Sequence, residues 1–295
     1  MTGRGSGADR GPFEPAVTIE PLVEAAAEER ALQPRRMISP AQAAAARDAL
    51  WRLIAPALAP LAGLLPEEAG GPDLDTRAAA ALDAFAGTYE ARPVRDNRGG
   101  SGFNDSLWLW LIARLVDPAL IVESGTHKGH SSWLFRQACP EAEIHSFDIS
   151  WDRLEHRAAS VRYHREDWSL SAPRGEPGRH SLVFLDDHIS HARRILEARE
   201  RGHRLLLLDD DFPAHQLHAT GGPPLPTLAM ILDPSLADGQ EIAWLRNGKR
   251  YAFTFRRAMA EPARALIAGH LTLPDLAPAS RQPPGSGLAL VKLVD

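Results

Sequence analysis

At 295 residues, with 44% hydrophobic and 24% charged side chains, the chain suits one sizeable α/β domain with an appendage, and its ordinary globular balance excludes disorder throughout. Thirty-eight acids against 33 bases give a net charge of -5, which argues against a generic nucleic-acid binder. Cys139 is the single cysteine, so an intrachain disulfide and a thiolate-rich zinc site are both excluded and a reducing, cytoplasmic setting is expected.

In chain order, residues 1–16 are rich in Gly and Arg without apolar period and read as a loose tail with no apolar leader. The longest uninterrupted apolar stretch, Leu107 to Ala113, is far below the roughly 18 residues a bilayer requires, so no membrane association is expected. Residues 17–96 form a helical cap in this reading. Ser39-Pro40 supplies a helix start, and Leu50, Leu53, Ile54, Leu58 and Leu61 recur at spacings of three and four. Pro56 and Pro60 should kink or divide that helix. A second, Ala-rich helix runs from Asp75 to Thr88 after the break GGPD. Residues 91–105 mix glycines with charges and read as a mobile loop.

From residue 97 to 295 the pattern is that of a second, larger domain. A helix from Ser106 to Leu115 precedes strands at Leu120–Glu123, Glu143–Asp148, Val161–His164, Leu182–Asp186 and Arg204–Asp209, with helices expected at Ser131–Ala138, Arg153–Ala159 and His191–Arg201. LVFLD and RLLLLD are apolar on both faces, as central parallel strands covered by helices must be. EIAWLRNGKRYAFTF reads as a hairpin, since Asn247-Gly248 suits a tight primed turn, and GLALVKLV reads as a last strand. The fold class that follows is α/β: a doubly wound, mostly parallel, Rossmann-like sheet behind an N-terminal helical cap.

In such sheets the binding crevice lies beyond the carboxyl ends of the strands, and here nearly every strand ends in an acid. Glu123 closes the first, Asp148 the second, Asp186-Asp187 the fourth and Asp209-Asp210-Asp211 the fifth, while Asp167 follows the third. The first turn, Glu123-Ser124-Gly125-Thr126-His127-Lys128-Gly129-His130, places glycines where backbone can approach a ligand and aims a helix N-terminus into the same space. It contains neither the dinucleotide G-x-G-x-x-G nor a phosphate-loop GK[ST], and an ordinary strand-to-helix turn remains an open alternative. Asp148 can accept the two hydroxyls of a ribose. Asp167 could accept from an adenine amino group and Trp168 could stack on its ring, with core packing the alternative for Trp168.

These motifs together resemble the class I S-adenosylmethionine-dependent methyltransferases, and more narrowly the metal-dependent O-methyltransferases of the catechol and macrocin types. The likeness rests on VESGTHKGHSS, on FD ending the second strand, on the acid after the third, and on LVFLDDH and LLLLDDD; it covers roughly residues 97–256. The resemblance implies a seven-stranded sheet. It implies that Glu123, Gly125, Thr126 and Gly129 surround the methionine part of S-adenosylmethionine, that Asp148 binds the ribose, and that Asp167 and Trp168 flank the adenine. It also implies that Asp186, Asp209 and Asp210 hold Mg²⁺, and oxygen-only ligands independently suit such a hard cation.

The implied reaction methylates a hydroxyl of a small molecule such as a sugar, polyol or phenol of secondary metabolism. A bound cation would lower the hydroxyl pKa, and Asp187 or His188 would serve as base. Where catechol O-methyltransferase carries a lysine after its strand-four acid, this chain has Ile189 and Ser190. The competing readings are a metal-independent methyltransferase of the same fold, a two-metal hydrolase built from Asp186-Asp187-His188, Asp209 to Asp211 and His215-x-x-His218, and a non-catalytic cofactor-binding scaffold. Arg98 and His191 read as surface or packing residues. The apolar N-terminal helices can pack on the sheet or on a second subunit of a homo-oligomer.

Overall fold

The computed structural model describes residues 18–21, 40–219 and 222–295. The tail read over residues 1–16 and the cap expected at Ser39 lie outside the described residues. In chain order the elements are β1 (Thr18–Pro21), α1 (Pro40–Leu64), α2 (Leu74–Glu90), α3 (Phe103–Val116), β2 (Leu120–Ser124), α4 (His130–Ala138), β3 (Glu143–Phe147) and β4 (Val161–His164). There follow α5 (Trp168–Ser171), β5 (Ser181–Leu185), α6 (His191–Glu200), β6 (Leu205–Leu208), a 3₁₀ segment (Ala214–Ala219), α7 (Leu228–Leu232), β7 (Glu241–Arg246), β8 (Lys249–Thr254), α8 (Arg257–Arg264), β9 (Ile267–Thr272), α9 (Ala277–Ser280) and β10 (Ala289–Leu293).

Seven strands form one sheet in the order β4-β3-β2-β5-β6-β10-β9. The pairings from β4 through β6 are parallel, and β10 runs antiparallel to both β6 and β9. Both faces are covered. On one, Ile121, Ile144, Leu182, Phe184, Leu205, Leu207 and Leu290 pack with α1 to α4. On the other, Leu120, Val122, Val183, Leu185, Leu206, Leu208 and Val291 pack with α6, α7 and α8. Burial on both faces is why these strands read as continuous apolar runs. The chain moves outward from β2 through β3 to β4 and then returns to β5 on the other side of β2, which places the crevice of a doubly wound sheet at the carboxyl ends of β2 and β5.

Four details differ from the sequence reading, each for a physical reason. First, α1 runs unbroken through Pro56 and Pro60. Ile54, Leu58 and Leu61, each at most 2% exposed, bury one stripe of that helix, and their burial offsets the roughly 3 kcal/mol that an interior proline costs. Second, residues 18–21 form a strand, not helix, paired antiparallel with β8 in a separate three-stranded sheet of order β1-β8-β7. The hairpin expected at Asn247-Gly248 is present, with φ of 50° and 70° at the two turn residues, but it belongs to this small sheet. Third, residues 153–159 are not helical. The N–H groups of Glu155 and His156 donate to the Lys128 carbonyl at 3.2 and 3.1 Å, so this segment lies across the glycine turn. Fourth, the sheet contains β9, whose alternating exposure and internal Gly269 hide it from a search for apolar runs.

Because α1, α2, α3 and the sheet share one core, the described helices should unfold together with the sheet. Leu61→Ala is expected to cost about 2–5 kcal/mol and to shift a single urea transition seen by both far-UV dichroism and tryptophan fluorescence. Two separated transitions would contradict a shared core.

Candidate active site

The first turn is shaped by close contacts between chain segments. Gly125 has φ of +106°, and a Cβ there would lie 2.0 Å from the Asp186 carbonyl oxygen. Gly129, at φ +83°, would bring a Cβ to 2.0 Å from the His156 carbonyl. Both glycines are therefore required by chain-to-chain approach. The Asp186 N–H donates to the Ser124 carbonyl at 2.8 Å, which ties the tips of β2 and β5 at the crevice. Lys128 clamps the turn from outside, with its ammonium 2.7 Å from Glu155 and donating to the Asp96 carbonyl at 2.7 Å.

Glu123 and Thr126 face inward. Ser132 and, at 2.5 Å, Ser146 donate to the Glu123 carboxylate, and the Thr126 hydroxyl meets Ser146 at 2.6 Å. Glu123 is fully buried, Thr126 is 1% exposed, and burial pushes the Glu123 carboxyl up. Their side chains brace the turn from below, and the Glu123 Oε1 has no hydrogen-bond partner among the described residues.

Asp148 stands at the tip of β3, half-buried. The His127 N–H donates to its Oδ2 at 2.9 Å and the Ser150 N–H to its Oδ1 at 3.0 Å. Each oxygen keeps a further lone pair, so the carboxylate is anchored yet able to accept two hydroxyls. Beside it, Ile149 is 76% exposed, and Leu170 on α5 is 70% exposed. Sequence reading missed both; the available signal for Ile149 was an apolar residue directly after a strand-ending acid.

Asp167 and Trp168 are placed differently from the expected adenine contacts. Trp168 is fully buried, with the guanidinium groups of Arg194 and Arg201 each 5.8 Å from its ring. The indole therefore has no face open for stacking. Asp167 accepts from the Ser169 N–H at 2.8 Å and pairs with Arg194 at 2.7 Å. Burial alone would raise the Asp167 carboxyl, but the hydrogen bond and charge of Arg194 outweigh it and hold the group down at about 2. Arg194, 1% exposed, also pairs with Asp187 at 2.8 Å and with Glu197 on its own helix at 2.5 Å. Asp187 further accepts from Ser124 at 2.5 Å and from the Ile189 N–H at 3.1 Å. These contacts tie Asp187 into the scaffold.

The remaining acids meet at the ends of β5 and β6. Burial and the neighbouring Asp209 push the Asp186 carboxyl well up, and burial with the charge of Asp210 takes Asp209 to about 8. Asp186 and Asp209 are hydrogen-bonded to each other, so near neutral pH the pair retains a proton. Asp210, at φ +56°, instead faces His188, with Oδ2 3.0 Å from the imidazole Nδ1. His188 is half-exposed, and the Asp210 hydrogen bond raises its pKa. Two residues missed in the sequence complete the cluster. Ser286 donates its hydroxyl to Asp209, and its N–H donates to Asp105, at the start of α3, at 3.0 Å.

Donor chemistry here suits Mg²⁺, since Asp186 and Asp209 offer hard oxygens around a proton that a cation would displace. Asp210 is engaged by His188, while its charge acts on both of these carboxyls. Among the described residues no group of three His, Cys, Asp or Glu side chains already stands as a metal site. The other residues singled out have structural contacts. Asp211 accepts from the Ala229 N–H at 2.7 Å at the start of α7. His191 is buried neutral, lowered to about 3 by burial, and links the Asp209 carbonyl to the Leu228 N–H at 2.9 Å each. Arg98 is solvated and paired with Asp96 at 2.7 Å. His215 is exposed, and the His218 side chain lies outside the described ones.

No family model matches the chain, and no curated protein matches it. Solved structures do. An O-methyltransferase of tomaymycin synthesis from Streptomyces achromogenes, in complex with S-adenosylmethionine, matches at 14% identity and TM-score 0.40, covering 75% of this chain and 89% of its own. A methyltransferase from Podospora anserina bound to S-adenosylhomocysteine gives 16%, 0.37, 73% and 88%. An O-methyltransferase from Bacillus cereus in complex with S-adenosylhomocysteine gives 11%, 0.37, 74% and 91%. Similarity this low leaves the activity to be argued from the site's own residues.

If Trp168 is core, Trp168→Ala should cost about 3–5 kcal/mol of stability and lower the melting temperature, while any nucleoside ligand binds the folded fraction with unchanged affinity. A specific loss of adenine-dependent binding in a stably folded Trp168→Phe variant would restore the stacking role.

Proposed function

We propose that this chain is an S-adenosylmethionine-dependent O-methyltransferase acting on a hydroxyl of a small molecule, with His188 as general base. The observation that carries the reading is the division of labour among the strand-end acids. Asp148 is anchored and open, Asp187 is held by Arg194, and Asp210 is turned to His188.

Bound S-adenosylmethionine would supply an electrophilic methyl group on a sulfonium. Asp148 is suited to accept the ribose hydroxyls, and Ile149 offers an apolar surface for the adenine. The turn from Gly125 to Gly129 bounds the methionine end. His188, neutral at Nε2 and held through Nδ1 by Asp210, can take the proton of an acceptor hydroxyl, and Asp210 then stabilises the imidazolium. Asp186 and Asp209 would hold Mg²⁺, which would lower the pKa of a bound hydroxyl. A sugar, polyol or phenol acceptor rests on the family resemblance, and a cytoplasmic setting fits the single buried cysteine, Cys139. One observation favours a second reading, a metal-independent enzyme: Asp210 already serves His188, so proton removal has a route of its own.

The test is methyl incorporation from labelled S-adenosylmethionine across a panel of sugars, polyols and phenols, with Mg²⁺ and with EDTA. Turnover that EDTA abolishes and Asp186→Ala or Asp209→Ala removes supports the Mg²⁺ form. Turnover indifferent to both supports the metal-independent form, and no methylation of any hydroxyl acceptor counts against both.

The pH dependence is a separate prediction. A base must be neutral, so the rate should rise with pH through the raised His188 pKa. Asp210→Asn removes the main cause of that rise, moving the limb to lower pH and cutting the maximal rate about 10²-fold or more. Protonated His188, paired with Asp210, also stabilises the fold at low pH, a contribution lost as pH climbs through the folded-state value of His188. A pH limb unmoved by Asp210→Asn would remove His188 from the reaction.

A further inference from the structure

A cavity of about 390 Å³ opens at the amino ends of β5 and β6, on the opposite edge of the sheet from Asp148, Asp186 and Asp209. Ser181 and Leu205, the first residues of those two strands, line it, together with Leu64 at the end of α1, Pro66 just beyond it and the 175–180 loop. Its volume falls in the range of small-molecule sites. Nothing in the methyl-transfer chemistry uses it.

The charges around this cavity are arranged asymmetrically. Arg204 and Lys292 are half-buried in its wall, brought together by the antiparallel register in which Lys292 faces Leu205 and the Leu293 N–H donates to the Arg204 carbonyl at 2.8 Å. Neither is ion-paired with a carboxylate among the described residues. Their hydrogen bonds go to backbone carbonyls, from Arg204 to His203 at 3.2 Å and from Lys292 to Gly63 at 3.4 Å. The other lining groups are already committed or lie outside. Arg179 pairs with Glu143 at 2.8 Å and His180 with Glu68 at 3.3 Å. Glu176 and Asp295, the two lining acids, are exposed. With only the exposed Asp295 carboxylate acting on Arg204 as an opposite charge, and no carboxylate paired with Lys292 among the described residues, these half-buried cations raise the energy of the wall, and an anion within the cavity would relieve it. Burial and the like charge of Arg199 depress the Arg204 guanidinium, outweighing the opposite charge of Asp295.

We propose that this cavity binds a small organic anion, its carboxylate or phosphate between Arg204 and Lys292 and its apolar body against Leu64, Pro66 and Leu205. The site is independent of the crevice at Asp148. Because Lys292 reaches the C-terminal turn of α1 and lies in β10, occupancy would couple the helical layer to the strand that completes the sheet.

The test is calorimetric titration of the full chain with inorganic phosphate and, separately, with benzoate, which distinguishes a bare phosphate from a carboxylate carrying an apolar body. Saturable binding of either probe is expected, weakened tenfold or more by Arg204→Ala/Lys292→Ala and unchanged by Asp148→Ala. Lys292→Met alone, at a half-exposed position, should weaken it at least threefold if the double variant folds poorly. Binding that survives these substitutions, binding that Asp148→Ala removes, or no saturable binding of either probe would overturn the proposal.

Discussion

A single buried guanidinium decides what the acids of this crevice are free to do. Arg194 projects from α6 into the sheet and gathers Asp167 from beyond β4, Asp187 from beyond β5 and Glu197 from its own helix. A charge this deeply buried is tolerable only because three carboxylates surround it, and one of them, Asp167, is in turn held ionised by it. Two strand tips are thereby fixed at a defined separation. Asp167 and Asp187 are then tied into the scaffold, whereas Asp148, Asp186, Asp209 and Asp210 remain available for ligand, proton or cation.

The available acids form two chemically distinct places. Asp148 carries a backbone donor on each oxygen and has room for more. At the ends of β5 and β6, like charges are crowded close enough that Asp186 and Asp209 hold a proton between them, while Asp210 gains an imidazole partner in His188. Such crowding destabilises the empty protein and persists only where the surrounding structure enforces it, here through Ser286, Asp105 and the fixed tips of β5 and β6. The strained pair and the His188–Asp210 dyad lie next to each other, which is the arrangement a hydroxyl-activating site requires.

Much of the sheet was legible because its physics is local. LVFLD and RLLLLD could only be strands buried on both faces, and Asn247-Gly248 could only be a tight turn. The acids at strand ends were legible for the same reason, since each follows its strand directly. What sequence could not show depends on distant partners. Trp168 read equally well as a stacking platform or a core residue, and the deciding group, Arg194, lies on a helix beyond the next strand. Asp105 joins the acid cluster through Ser286, 181 residues away in the chain. The prolines of α1 were read by their local cost, while the burial of Ile54, Leu58 and Leu61 that outweighs it comes from packing against other elements.

The most direct test of the account is calorimetric titration of S-adenosylmethionine into the protein and into Asp148→Ala. Saturable binding, weakened tenfold or more by the substitution, about 1.4 kcal/mol, is the result predicted for a ribose held at the tip of β3. Failure of the intact chain to bind S-adenosylmethionine, with or without Mg²⁺, or binding indifferent to Asp148→Ala, would contradict it.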